Sequence, residues 1–203
     1  MKILHWALCA AAAVSLSACV AGPRVNPVEV TRFHSAGAQL GAGTIFIESA
    51  PGSAEDSGAA ELAPYKAAIA AELAKLGYRE VPRAQAQQIA QVRVERYVSE
   101  PAQKQNPVSV GLGGSTGSYG SGLGLGIGIN LGGGKREMLG TDLGVMIRDA
   151  ASSNVVWEGR ASISVSDNSQ LASSGTNAAA IADALFREFP GNNGETVEVR
   201  VAK

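Results

Sequence analysis

The feature that most constrains this chain is a change of hydrophobic period along it. From residue 28 onward, apolar side chains recur at every second position in several short runs and at helical spacing in only two. A period of two sends alternate side chains to opposite sides of a strand, whereas spacing near 3.6 gathers them on one stripe of a helix. Val28 and Val30, with Phe33 assigned to the same strand, alternate with polar residues, and Thr44-Ile45-Phe46-Ile47-Glu48 is a compact β-rich run ahead of Ser49-Ala50-Pro51-Gly52. Ile89 to Val98 alternates as a half-buried strand does. Leu143 to Asp149 and Val155 to Val165 are two more, joined as a hairpin through residues 150–154, and Thr196 to Val201 is the last.

Between Glu61 and Leu76 the period changes. Leu62, Tyr65, Ile69, Leu73 and Leu76 share one helical stripe, Pro64 suits an early turn and Gly77 ends the helix. A second helix is expected from Asn177 to Phe189, with Ile181, Leu185 and Phe189 on one side and Pro190-Gly191 as its stop. Two one-sided helices and this set of strands predict an α+β fold: a single antiparallel sheet of five or six strands with two helices packed on one face.

One segment stands apart. Between positions 111 and 134 there are 12 glycines in 24 residues, and Leu123, Leu125, Ile127, Ile129 and Leu131 alternate with Gly124, Gly126, Gly128 and Asn130. A strand bare on one side lets another backbone approach closely, while every glycine adds unfolded-state entropy. The insertion 108–134 therefore reads as a loop, as a hairpin that extends the sheet, or as a hairpin that self-associates or touches a membrane.

The N-terminus has the layout of an export signal. Lys2 supplies a positive start, residues 3–16 are apolar and alanine-rich, and the run is short for a bilayer span. Leu16-Ser17-Ala18-Cys19 resembles the lipobox of bacterial lipoproteins, in which the cysteine is lipidated and becomes the first residue of the mature chain. Cysteine usage agrees: Cys9 would leave with the signal, so Cys19 could form no intramolecular disulfide. Each buried methylene of an attached lipid contributes about 0.8 kcal/mol, so several acyl chains hold far beyond reversible docking. Val20, not aspartate, follows the cysteine, which by resemblance implies the outer membrane, facing the periplasm. The expected organisation is a signal over 1–18, a lipidated tether over 19–27 and an α+β domain over 28–203.

Charge names no ligand. Seventeen basic residues against eighteen acidic ones, and sixteen against eighteen once Lys2 is removed, exclude a field that would recruit nucleic acid. At 5% aromatic residues there are few rings for sugar or base platforms.

Several residues together carry a family resemblance: Trp157 with Gly159 and Ala161 behind an Asp149-Ala150 turn, a helix ending in Phe189-Pro190, an earlier Leu76-Gly77-Tyr78, and a glycine-rich interruption between strands. In this order, behind a lipobox, they resemble the bacterial lipoprotein family called domain of unknown function 4136 over most of the mature chain. The first strand lacks the aromatic pattern of the family's start. The resemblance implies a small periplasm-facing lipoprotein domain without an established activity, and it transfers no catalytic residue.

Enzyme motifs fail on their context. Gly113-Gly114-Ser115-Thr116-Gly117 has the letters of a hydrolase elbow, but glycine and serine follow where a helix is required. A triad would need a histidine, and only His34 remains after the signal, in an expected edge strand where it faces solvent. Gly134-Lys135 is no phosphate loop, since Ile129 and Arg136 stand where glycine and Ser/Thr belong. One histidine and no free thiol build no usual zinc site, and Asp167-Asn168 lacks calcium-loop spacing. Glu95, Glu100, Asp142, Asp149 and Glu158 are scattered and mostly expected as solvated strand or turn residues, no pair can be argued from the sequence to face a cleft, and Trp157 is expected in the core. The sequence thus points to no catalytic, cofactor or metal residue. It points to lipidation at Cys19, a membrane partner through that anchor, an unnamed envelope protein partner and no nucleic acid. The functional expectation is a non-enzymatic structural or interaction module; the alternatives are an assembly component using the hairpin 108–134, and a serine hydrolase using Ser115.

Overall fold

The computed structural model describes residues 22–51, 58–99 and 137–202. Strands β1 (Val28–His34) and β2 (Gly43–Ser49) are followed by helix α1 (Ala59–Lys75). Then come β3 (Tyr78–Glu80), β4 (Gln88–Ser99), β5 (Met138–Asp149), β6 (Val155–Ser166), helix α2 (Ser174–Phe186) and β7 (Thr196–Val199). The strands form one seven-stranded sheet in the order β3-β2-β4-β5-β6-β1-β7.

This corrects the expected single antiparallel sheet of five or six strands. The sheet is mixed: β2 runs parallel to both β3 and β4, while β4, β5, β6, β1 and β7 pair antiparallel. The reason is the crossover. A 17-residue helix after β2 carries the chain back to the end where β2 began, so the strands that follow run alongside it in the same direction. The seventh strand is β3, whose three residues are too few to show a period.

α1 and α2 lie side by side on one face of the sheet. Leu62, Tyr65, Ile69 and Leu73 of α1, and Ile181, Ala182 and Leu185 of α2, meet Val28, Val30, Ile45, Ile47, Val92, Leu143, Val145, Ile147, Trp157 and Ile163 in one core. Trp157 is 0% exposed, stacked on Phe186 at 5.3 Å and beside Phe189 at 5.2 Å, with its indole N–H donating to the carbonyl of Pro190.

Three further expectations shift. Phe33 does not join Val28 and Val30; Arg32 does, being 4% exposed on the helix side, while Phe33 is exposed on the other. Arg32 replaces apolar packing with hydrogen bonds from Nε to the Leu185 carbonyl and from a terminal nitrogen to that of Ala184, at the end of α2. α2 starts three residues earlier than expected and stops at Phe186, because Arg187 leaves helical geometry with a ψ of 130° and Glu188 after it takes a left-handed backbone with φ of 60°. β1 is not an edge strand, since β6 and β7 flank it. Residues 24–26, read as spacer, also extend its pairing with β6: Val25 bridges to Val165 and Asn26 N–H donates to the Ser164 carbonyl.

Candidate recognition groove on the open sheet face

The helices cover one face of the sheet. Among the described residues, the side chains of the other face form cross-strand rows set by the register. One row runs Arg93–Gly144–Arg160–Thr31–Thr196 across β4, β5, β6, β1 and β7. Two residues along the strands lies the row Glu95–Asp142–Ser162–Glu29–Glu198, and on the other side Gln91–Met146–Glu158–Phe33. Over the centre, between Ala50-Pro51 and β6, a half-open groove of about 620 Å³ is lined by Gln91, Arg93, Glu95, Asp142, Gly144, Met146, Glu158, Arg160 and Ser162. That volume falls within the range of small-ligand sites.

Its floor is Gly144. A β-carbon there would touch only Cβ of Arg93, at 4.0 Å. The other two glycines of β5 and β6 that sit in mid-strand positions are covered instead: the Tyr97 ring lies over Gly140, and the Trp157 indole and Leu185 close over Gly159. Around the floor, the charges are unevenly satisfied. Arg160 donates twice to Glu158, at 2.9 and 2.6 Å, and Asp142 accepts from the Ser162 hydroxyl at 2.6 Å. Glu48 accepts from Gln91 and pairs with Arg83. Arg93 and Glu95 make no ion pair with another described residue. Glu95 stands directly opposite Asp142, and like charges facing each other across strands are destabilising. Partial burial, then the neighbouring Asp142 carboxylate, raises the Tyr97 phenol above its ordinary value.

The residues singled out in the sequence scatter differently. Glu95, Asp142 and Glu158 do line a cleft, a convergence that could not be argued from the sequence; register, invisible in one dimension, brings them together. Asp149 closes the β5–β6 hairpin by accepting from the N–H groups of Ala151 and Ser152 and from the Ser152 hydroxyl, which lowers its carboxyl below the usual value. His34 is half-buried at the end of β1, its own N–H donating to Asn193 Oδ1. Cys19, Ser115, Glu100, Lys135 and the insertion 108–134 lie outside the described residues. Sequence reasoning missed Arg93, Gly144 and Arg160; the only local signal was a lone glycine inside the alternating run from Leu143 to Asp149. Among the described residues, no three His, Cys, Asp or Glu side chains converge to hold a metal ion, and no helix is long and apolar enough to cross a membrane.

A family model described as "Domain of unknown function (DUF4136)" matches residues 46–191. No curated protein matches the chain. Among solved structures, a PelC dodecamer from Paraburkholderia phytofirmans aligns at 13% identity over 81% of this chain and 95% of that one, with a TM-score of 0.42. A variant PelC dodecamer from the same organism aligns at 14% identity over 77% and 95%, also at 0.42. A PDZ domain protein from Parabacteroides distasonis ATCC 8503 aligns at 17% identity over 93% of this chain and 41% of that one, at 0.48. By the match over residues 46–191, the chain belongs to the DUF4136 family.

Proposed function

We propose that this DUF4136 protein is a lipid-anchored envelope protein, held at the outer membrane through Cys19 and facing the periplasm, whose α+β domain recognises a partner without catalysing a reaction. The observation that carries the anchor is the run Leu16-Ser17-Ala18-Cys19 behind an apolar segment with a basic start. The recognition role is supported by the contrast between the two faces of the sheet. One is closed by α1 and α2, and the other, among the described residues, leaves a charged groove above Gly144. A non-catalytic role is supported by what the groove's groups do. Asp142 is held by Ser162, and Glu158 by Arg160. His34 lies at the end of β1 and outside the set that lines the groove.

Intact mass and membrane fractionation of the chain and of Cys19→Ser, expressed in a Gram-negative host, test the anchor. The expected result is a mass increase of the triacyl kind together with outer-membrane recovery, both lost in Cys19→Ser. An unlipidated, freely soluble wild-type chain would overturn it.

A further inference from the structure

The floor of the groove is bare where bareness has a cost. Glycine within a strand contributes no side-chain packing and loses more backbone freedom on folding than other residues. At Gly140 and Gly159 a ring from the same sheet occupies the space that the missing side chain leaves. At Gly144 no described residue does: the backbone φ is ordinary and, among the described residues, a β-carbon would meet only Arg93 Cβ, at 4.0 Å. Neither strain nor crowding demands glycine there. A close approach from outside the sheet would.

The flanking charges say what chemistry approaches. Arg93, exposed and without an ion pair among the described residues, adjoins Gly144 on one side. Arg160 stands on the other side, its guanidinium turned to Glu158. Two residues along the strands, about 7 Å at the rise of a β-strand, Glu95 and Asp142 face one another as like charges that a cation would relieve. The groove therefore offers an anion seat at Arg93 and a cation seat at Glu95–Asp142, over a floor low enough for a main chain to lie on. A two-residue peptide with free termini spans about 7 Å between its ammonium and its carboxylate when extended.

We propose that the groove binds a short zwitterionic peptide lying over Gly144, its carboxylate on Arg93 and its ammonium between Glu95 and Asp142. The proposal rests on reading the open face as a recognition surface and is independent of the anchor at Cys19. Opposite charges carried two residues apart along the strands, about 7 Å, would select for peptide length as well as charge, because a single amino acid is too short to reach both seats.

The test is titration of the full chain, in detergent where it is lipidated, with L-alanyl-L-alanine, its N-acetyl form, its C-terminal amide and free L-alanine, followed by amide chemical shifts. The expected result is saturable binding of the dipeptide, with shifts concentrated at residues 93, 95, 142, 144 and 160. N-acetylation and amidation should each weaken binding about tenfold or more, as loss of one charge-assisted contact does, and free alanine should bind no better than either. Gly144→Val fills the floor and should abolish binding; Arg93→Gln, at an exposed side chain, should weaken it and lose the discrimination against the amide. No saturable binding to a chain with well-dispersed amide signals overturns the proposal. So does equal binding of all four probes, or shifts centred elsewhere. Undiminished binding in both variants would also overturn it. None of these failures bears on lipidation, which the mass measurement settles separately.

Discussion

The ring of Tyr97 lies over Gly140 of the adjacent strand, where a β-carbon would come within 2.4 Å of Tyr97 Cε2. A ring over a cross-strand glycine restores the side-chain cover the glycine lacks, and it pins register by shape. The Trp157 indole likewise covers a glycine, Gly159 of its own strand, where a β-carbon would run into its Cη2, but there it sets no register between strands. The two arrangements differ in what the ring can do when displaced. Tyr97 is 47% exposed and Trp157 is fully buried.

Alanine at these two glycines should therefore behave differently. In Gly140→Ala the Tyr97 ring swings outward, and the net loss of stability is under about 1 kcal/mol. In Gly159→Ala the indole cannot leave the stack with Phe186 and Phe189, and overpacking costs about 3 kcal/mol. Urea unfolding monitored by tryptophan fluorescence measures both; equal losses would show that Trp157 has room to move.

Arg32 is the polar member of an otherwise apolar row, and its fork closes two carbonyls at the end of α2. Burial works against its charge and lowers its pKa, while Glu188 and Glu195 favour the charged form. Arg32→Met should cost about 2–4 kcal/mol, since it leaves buried carbonyls unpaired. Arg32→Lys should fall in between, because an ammonium offers no planar fork. Thermal unfolding of the three proteins checks the order.

Between the two helices, the Tyr65 hydroxyl donates to Asn177 Oδ1 at 3.0 Å, and Asn177 Nδ2 donates to the carbonyl of Leu171, in the turn before α2, at 3.1 Å. Asn177 is 0% exposed. Tyr65→Phe removes one donor and should cost about 1–2 kcal/mol. Asn177→Ala orphans both neighbours and opens a void, and should cost about 2–4 kcal/mol. A larger loss for Tyr65→Phe in denaturant unfolding would contradict this chain of bonds.

Burial raises the phenols of Tyr65 and Tyr78 above the ordinary tyrosine value. The folded state therefore holds these protons more tightly than the unfolded state. The resulting stability is complete below the unfolded value of about 10 and is lost as pH rises through the folded values. Unfolding midpoints in urea should stay level on the acid side of that value and fall beyond it. The decline should be shallower in Tyr65→Phe. A pH-independent midpoint across that window would refute the assignment.

Much of the fold was legible because burial leaves a period in the sequence. The stripe Leu62, Tyr65, Ile69, Leu73 is buried as α1's inner face, and the alternation from Leu143 to Val165 is the β5–β6 hairpin, with Trp157 in the core. The parallel pairing of β2 was not legible, since period two says which face is buried and nothing about strand direction. Arg32 broke the pattern because two helix-end carbonyls satisfy it, and those are more than 150 residues away. The groove was missed for a related reason: Arg93, Glu95, Asp142, Gly144, Glu158 and Arg160 belong to three strands.

What the sequence by itself determined is local. Hydrophobic period assigned helix and strand, Gly77 marked the end of α1, and the order Trp157, Gly159, Ala161 with Phe189-Pro190 identified the DUF4136 family. Strand order, register and which face of the sheet the helices cover were decided only in the tertiary structure. Those properties depend on pairings between residues distant in the chain and on which side of the sheet the helices cover. The charged groove over Gly144 exists only because that register holds.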